Sequence, residues 1–126
     1  MEYTARMRCF STVEIEHVKV SDPAREGESL LLKSQDCFRL VLDERGKTFT
    51  SRLFAEEIKK IELNPRKTCA ILVGGADGLA EPVRKAANLL WSLSPLTLQH
   101  EMALALALEQ IYRAHTILTG VPYHRD

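Results

Sequence analysis

The chain has 126 residues, 45% of them hydrophobic and 27% charged, which is enough for one domain with its own core. Seventeen basic and seventeen acidic residues cancel, so bulk charge does not recruit nucleic acid or an anionic membrane, and local patches would have to do it. The longest purely apolar run, Met102 to Leu108, is too short to cross a bilayer.

The N-terminal MEYTARMR lacks the apolar stretch of a secretory signal. Cys9, Cys37 and Cys69 are odd in number and fall in no metal-like spacing. They point to free thiols in a reducing, cytoplasmic setting. No linker, repeat or low-complexity stretch divides the chain, so residues 1–126 read as a single domain.

Residues 2–8 read as a short helix, and STVEIEHVKV (11–20) as a strand with Val13 and Ile15 in alternation. Asp22 as a cap with Pro23 at the first position opens a helix over DPAREGESLLLK. FRLVLDERG reads as the next strand, ending at Gly46. TSRLFAEEIKKI follows as an amphipathic helix with Leu53, Phe54, Ile58 and Ile61 toward one face. CAILVGG is continuously apolar, as a strand buried on both faces would be. EPVRKAANLL reads as a helix, WSLSPLTL as a short strand or extended segment, and 100–118 as a long final helix. Strand and helix alternate, which predicts an α/β layer fold with a mainly parallel sheet.

The final helix places Leu104, Leu108 and Ile111 on one stripe, with Met102, Leu106, Ala103 and Ala107 covering other directions. Apolar groups nearly all round imply burial on two sides. The sheet covers one side, which leaves the other for a homodimer interface or for the chain's own core. Glu109 and Arg113 are spaced i,i+4 and predict an ion pair along the helix.

Three stretches offer ligand chemistry. Gly74, Gly75 and Gly78 form neither a dinucleotide fingerprint nor a P-loop, and taken alone fit a tight turn. Their place after a strand also fits a ligand site at the carboxyl edge of a parallel sheet. In WSLSPLTLQH, Ser92, Ser94 and Thr97 interleave with Leu93, Leu96 and Leu98 around Pro95. That stretch offers main-chain polar groups beside apolar walls, suited to an adenosine-like ligand or to simple packing. The tail TGVPYHRD ends in Tyr123, His124 and Arg125, which can stack on bases and contact phosphate, or be a solvated terminus. His17, His100, His115 and His124 are scattered, with no metal motif.

In order, REGESLL, LDERGKTFTSRLFA, LVGGADGL, SLSPLTLQHEMALALALEQIYRA and PYHR resemble the ribosomal large-subunit RNA methyltransferase H family of the SPOUT α/β-knot methyltransferases. The resemblance covers nearly the whole chain. It implies a mainly parallel sheet with helices on both faces and a C-terminal trefoil knot. It also implies an S-adenosylmethionine-dependent homodimer that methylates N3 of a pseudouridine in helix 69 of 23S rRNA, on the assembled 70S ribosome. Carried onto this sequence, the cofactor residues are Leu42, Gly74, Gly75, Leu93, Ser94, Pro95, Leu96, Thr97 and Leu98. Arg113, Tyr123, His124 and Arg125 are the RNA-holding candidates, and His124 and Arg113 the candidates for catalysis, with no metal required.

The family normally begins with a further strand and most of a helix ahead of the segment matching EYTARM. It commonly carries an arginine at the position of Leu104 and a histidine at that of Val121. These departures keep a second expectation open, a diverged non-catalytic module that binds S-adenosylmethionine or the ribosome.

Overall fold

The computed structural model describes residues 21–66, 68–75 and 78–125. The helix expected at 2–8 and the strand expected at 11–20, with Cys9 and His17, lie outside the described residues. Helix α1 spans Pro23–Lys33 and starts as its sequence predicts. Asp22 caps it by accepting from the Arg25 amide, and Pro23 occupies the first turn, where a missing N–H is harmless. Strand β1 (Phe38–Lys47) follows, then helix α2 (Ser51–Glu62), capped by the Thr50 side chain. Strand β2 (Cys69–Leu72), a short helix α3 (Glu81–Lys85), strand β3 (Leu89–Trp91) and helix α4 (His100–Thr119) complete the order.

The described strands form one sheet in the order β2-β1-β3, with both pairings parallel. The central strand explains the two cores. Leu40 and Leu42 face one side and Val41 the other, because side chains alternate along a strand. On the first side they meet Phe54, Ala55 and Ile58 of α2 and Ala107, Ile111 and Ala114 of α4. On the other, Val41 packs with Leu72 and Val83, flanked by Leu30 and Leu31 of α1. The sheet therefore carries helices on both faces, and the expected α/β layering holds.

Two expectations are revised. The apolar run of CAILVGG implies a strand buried on both faces, yet β2 lies at an edge of the described sheet and buries fully only Leu72. The strand enclosed on both faces is the middle of β1, where Leu40 and Val41 are both 0% exposed. EPVRKAANLL reads as one helix, but helix ends at Lys85 and strand begins at Leu89. Asn88 makes the break: its amide donates to the Arg39 carbonyl at 2.9 Å, and the Arg39 amide donates to Asn88 Oδ1 at 2.8 Å. These pairings draw Leu89–Trp91 onto β1, and a short apolar run does not distinguish the two outcomes by its period.

The α2 side of the core turns on Phe54, which is 2% exposed and stacks on Trp91 with ring centroids 4.0 Å apart. His115 of α4 lies 3.2 Å from Glu62 at the far end of α2; burial lowers its imidazole pKa and the carboxylate opposes that shift. Replacing Phe54 with alanine removes both the burial and the stack, so Phe54→Ala is expected to destabilise the fold by about 3–5 kcal/mol. Urea unfolding followed by circular dichroism measures it, and a loss below about 1 kcal/mol would mean the stack is peripheral to stability.

Candidate functional site

Because β1, β2 and β3 run parallel, their carboxyl ends share one edge of the sheet, and the three expected cofactor segments follow those ends. Leu42 closes the regular pairing of β1. Its side chain is 8% exposed and belongs to the core, so what it offers at this edge is main chain.

Beyond Leu42 the strand swings out and returns: Leu42 and Lys47 both register on Trp91, with residues 43–46 between them. The return passes so close to β3 that a Cβ on Gly46 would sit 2.5 Å from the Leu90 carbonyl. The Ser92 amide then donates to the Lys47 carbonyl at 2.8 Å. Sequence reasoning missed Gly46 as a site residue, since a lone glycine at a strand end signals only a turn.

Gly74 and Gly75 follow β2. The Gly78 amide donates to the Gly75 carbonyl at 3.0 Å, and Gly78 is left-handed at φ +79°, so the segment closes on itself. The two glycines differ in what surrounds them. A Cβ on Gly74 would lie 2.9 Å from the Gly78 carbonyl carbon and 2.9 Å from Leu79 Cγ, so the loop itself excludes a side chain there. A Cβ on Gly75 would meet only the Glu26 carboxylate at 3.4 Å, an ordinary contact.

The third segment, residues 92–98, is shaped by its own hydroxyls. Ser92 Oγ donates to the Ser94 carbonyl at 3.0 Å, and Ser94 Oγ accepts from the Leu96 amide at 3.0 Å. Pro95, Leu96 and Thr97 are exposed, and Leu93 and Leu98 are half-buried.

Two side chains fasten these segments to one another. Thr97 Oγ1 donates to Glu44 Oε2 at 3.1 Å, joining the third segment to the β1 excursion. Arg84 of α3 donates to the Leu79 carbonyl just beyond the glycines, lies 3.6 Å from Asp43 and holds Glu81 at 2.6 Å. The hydrogen bond from Arg84 lowers the Glu81 carboxyl below its ordinary pKa. Arg84 escapes a reading of the sequence because an arginine in a short helix carries no sign of its distant partners.

The tail folds back on α4. Gly120 caps the helix in the left-handed conformation at φ +75°, and the Val121 amide donates to the Thr116 carbonyl at 3.0 Å. Tyr123 then packs edge-on against Tyr112, centroids 4.7 Å apart, and donates to Glu109 at 3.2 Å. Arg113 forms the expected ion pair with Glu109 at 2.6 Å and lies 4.8 Å from the centre of the Tyr123 ring. Its Nη1 is 3.0 Å from His124 Nδ1. A guanidinium only donates, so Nδ1 accepts there and Nε2 carries the ring proton. Arg113, Tyr123 and His124 are thus brought together, with Arg113 acting as the post that holds the tail, while Arg125 is exposed. Among the described residues, no group of His, Cys, Asp and Glu is placed to hold a metal ion, and no helix is long and apolar enough to cross a membrane.

Residues 1–124 match the family model described as a predicted SPOUT methyltransferase. The chain is 45% identical over 129 aligned residues to a ribosomal RNA large subunit methyltransferase H of Thermus thermophilus, covering 98% of this chain and 84% of that protein. It is 37% identical to the protein of the same name from Deinococcus radiodurans, covering 98% and 85%. Against that of Pseudomonas putida the identity is 40%, covering 98% and 86%.

The two glycines separate in their expected behaviour. Gly74→Ala should destabilise the chain by about 1–3 kcal/mol by forcing the loop apart, and Gly75→Ala should stay within about 0.5 kcal/mol of the parent. Thermal unfolding of both variants tests this, and equal losses would mean that the loop does not close on Gly74.

Proposed function

The chain belongs to the SPOUT methyltransferase family, among relatives named ribosomal RNA large subunit methyltransferase H, and from that premise we propose that it transfers a methyl group from S-adenosylmethionine to large-subunit rRNA. The finer target is N3 of a pseudouridine in helix 69 of 23S rRNA within the 70S ribosome, in the cytoplasm. The observation that carries the reading is the junction of three loops at the carboxyl edge of parallel strands, fastened by Thr97 to Glu44 and by Arg84 to Asp43 and Leu79.

The chemistry of the edge suits the cofactor. Gly75 presents open main chain, where an adenosine can approach closely. Leu42, Gly74 and residues 93–98 complete the pocket, with apolar walls from Leu93, Leu96 and Leu98 and polar main chain around Ser94, Pro95 and Thr97. When bound, the cofactor supplies an activated methyl group on a sulfonium.

The chain's own contribution is then placement. Sulfonium chemistry needs in-line approach, so holding the acceptor nitrogen in line supplies most of the acceleration. Tyr123, His124 and Arg125 hold the RNA, and Arg113 sets the tail in position through Glu109, Tyr123 and His124. Arg113 and His124, the latter through its Nε2–H, are the groups beside the acceptor that can stabilise its developing negative charge. In this reading the segment after β3 threads a loop to form the trefoil knot, which a crystal structure with S-adenosylhomocysteine would trace directly.

A homodimer is part of the same reading. Met102 and Leu106 of α4 are 59% and 43% exposed, and Leu53 of α2 is 52% exposed, which is apolar surface that a second copy covers. Sedimentation equilibrium is expected to give twice the chain mass, and a stable monomer at working concentration would reject the dimer.

Titration with S-adenosylhomocysteine is expected to show one site per subunit, abolished in a folded Gly75→Val variant. Unmodified 70S ribosomes should accept methyl from the parent chain and accept less from Arg125→Ala, with cofactor affinity unchanged. A folded parent chain that binds no S-adenosylhomocysteine would sink the methyltransferase reading. Binding without transfer to ribosomes would replace it with the non-catalytic module.

A further inference from the structure

The ladder between β1 and β2 ends at Val41 and Leu72. Past that point the two strands part: β1 runs through Leu42 into the 43–46 excursion, and β2 leads to Gly74 and Gly75. These continuations are two of the three segments expected to hold the cofactor, and the β1–β2 ladder does not set the gap between them.

Arg84 of α3 spans that gap. Its Nη1 donates to the Leu79 carbonyl on one side and lies 3.6 Å from Asp43 Oδ2 on the other. Both contacts bear on residues that shape the cofactor segments. Leu79 is the side chain whose Cγ stands 2.9 Å from the Cβ position of Gly74. Asp43 directly follows Leu42, and its Oδ1 accepts from the Arg45 amide at 2.8 Å, which turns the chain into the excursion. The other donors of the guanidinium are used as well: Nε and Nη2 both donate to Glu81 Oε2, at 3.0 and 2.6 Å. The fork of Arg84 is therefore turned to the protein and not to a ligand, and it bears on the cofactor through Asp43 and Leu79.

Two features make this bridge stiff. The side chains of Arg84 and Asp43 are 17% and 11% exposed, so salt and water screen the pair less than they would a surface pair. The neighbouring Val83 is fully buried and packs with Val41 and Leu72, where the ladder ends. The arm is thus rooted on the two strands whose continuations it spaces.

We propose that Arg84 is a positioning residue for the cofactor, holding the β1 excursion and the glycine turn at their working separation before the ligand arrives. The inference rests on the methyltransferase reading and adds to it a residue that does not line the pocket. Preorganisation of this kind is read as affinity, because the segments are ordered in the free protein and not at the moment of binding. Lysine is not an equivalent, since a single ammonium lacks the planar fork that serves three partners at once.

The test titrates S-adenosylhomocysteine into the parent chain, Arg84→Gln, Arg84→Lys and Asp43→Asn, with hydrogen exchange of the unliganded proteins in parallel. Arg84→Gln is expected to weaken binding about tenfold, the size of one lost charge-assisted hydrogen bond. Arg84→Lys and Asp43→Asn should fall between it and the parent. In Arg84→Gln the Gly78 amide should exchange faster while the amides of α2 keep the parent's rates. Methyl transfer to unmodified 70S ribosomes should show a raised KM for S-adenosylmethionine with the parent's kcat, a split that general loss of structure would not give. If Arg84→Gln binds S-adenosylhomocysteine with the parent's affinity, the positioning role is wrong while the methyltransferase reading stands. A lowered kcat with cofactor affinity intact would put Arg84 on the RNA side and equally overturn it. Should Arg84→Gln fail to fold, Arg84→Lys and Asp43→Asn decide, and parental affinity in both overturns the assignment. A parent chain that binds no S-adenosylhomocysteine overturns the methyltransferase reading and the positioning role with it.

Discussion

The carboxyl edge of this protein depends on one constraint, the double meeting of β1 with Trp91. Leu42 pairs there, the chain departs for residues 43–46, and Lys47 pairs there again. Only a glycine permits the return, because at Gly46 the β3 backbone occupies the space of a side chain. The excursion carries Asp43 toward Arg84 and Glu44 toward Thr97, and the strand then delivers the chain to the Thr50 cap of α2. One close backbone approach therefore sets three loops and the start of a helix in register.

Packing beneath this edge makes the arrangement rigid. Trp91 is both the residue on which β1 closes and the ring on which Phe54 of α2 stacks. Displacing the excursion would therefore disturb the core, and interiors packed to solid density resist such displacement. Polar fastening adds direction that apolar contact lacks. Arg84, with its side chain 17% exposed, reaches a main-chain carbonyl and two carboxylates on separate segments. Half-buried charged hydrogen bonds of this kind are shorter and stronger than neutral ones.

The tail follows the same logic with different chemistry. Its last residues have little apolar surface to bury, so they are held by an aromatic pair, an ion pair and a guanidinium shared between Glu109 and His124. A methyl transfer that relies on alignment benefits from such fastening, since a displacement of about 1 Å in a reacting group can cost two orders of magnitude in rate.

How much of this was legible in the sequence depended on the range of the interactions. Helix α1 was readable from Asp22 and Pro23, α4 from its long periodic run, and the Glu109 and Arg113 pair from i,i+4 spacing, since each is decided within a turn or two of chain. Alternating strands and helices gave the α/β class, and the linked motifs gave the family, for the same local reason. The helix expected through Leu90 failed because Asn88 found its partner in Arg39, forty-nine residues away. The centrality of β1 over β2 and the clasp by Arg84 were equally out of reach. Composition and spacing record what a residue can do, but which residue it meets is decided when the strands align side by side. That alignment is a property of the folded chain, because the groups it joins are distant in sequence and their pairing leaves no local period to read.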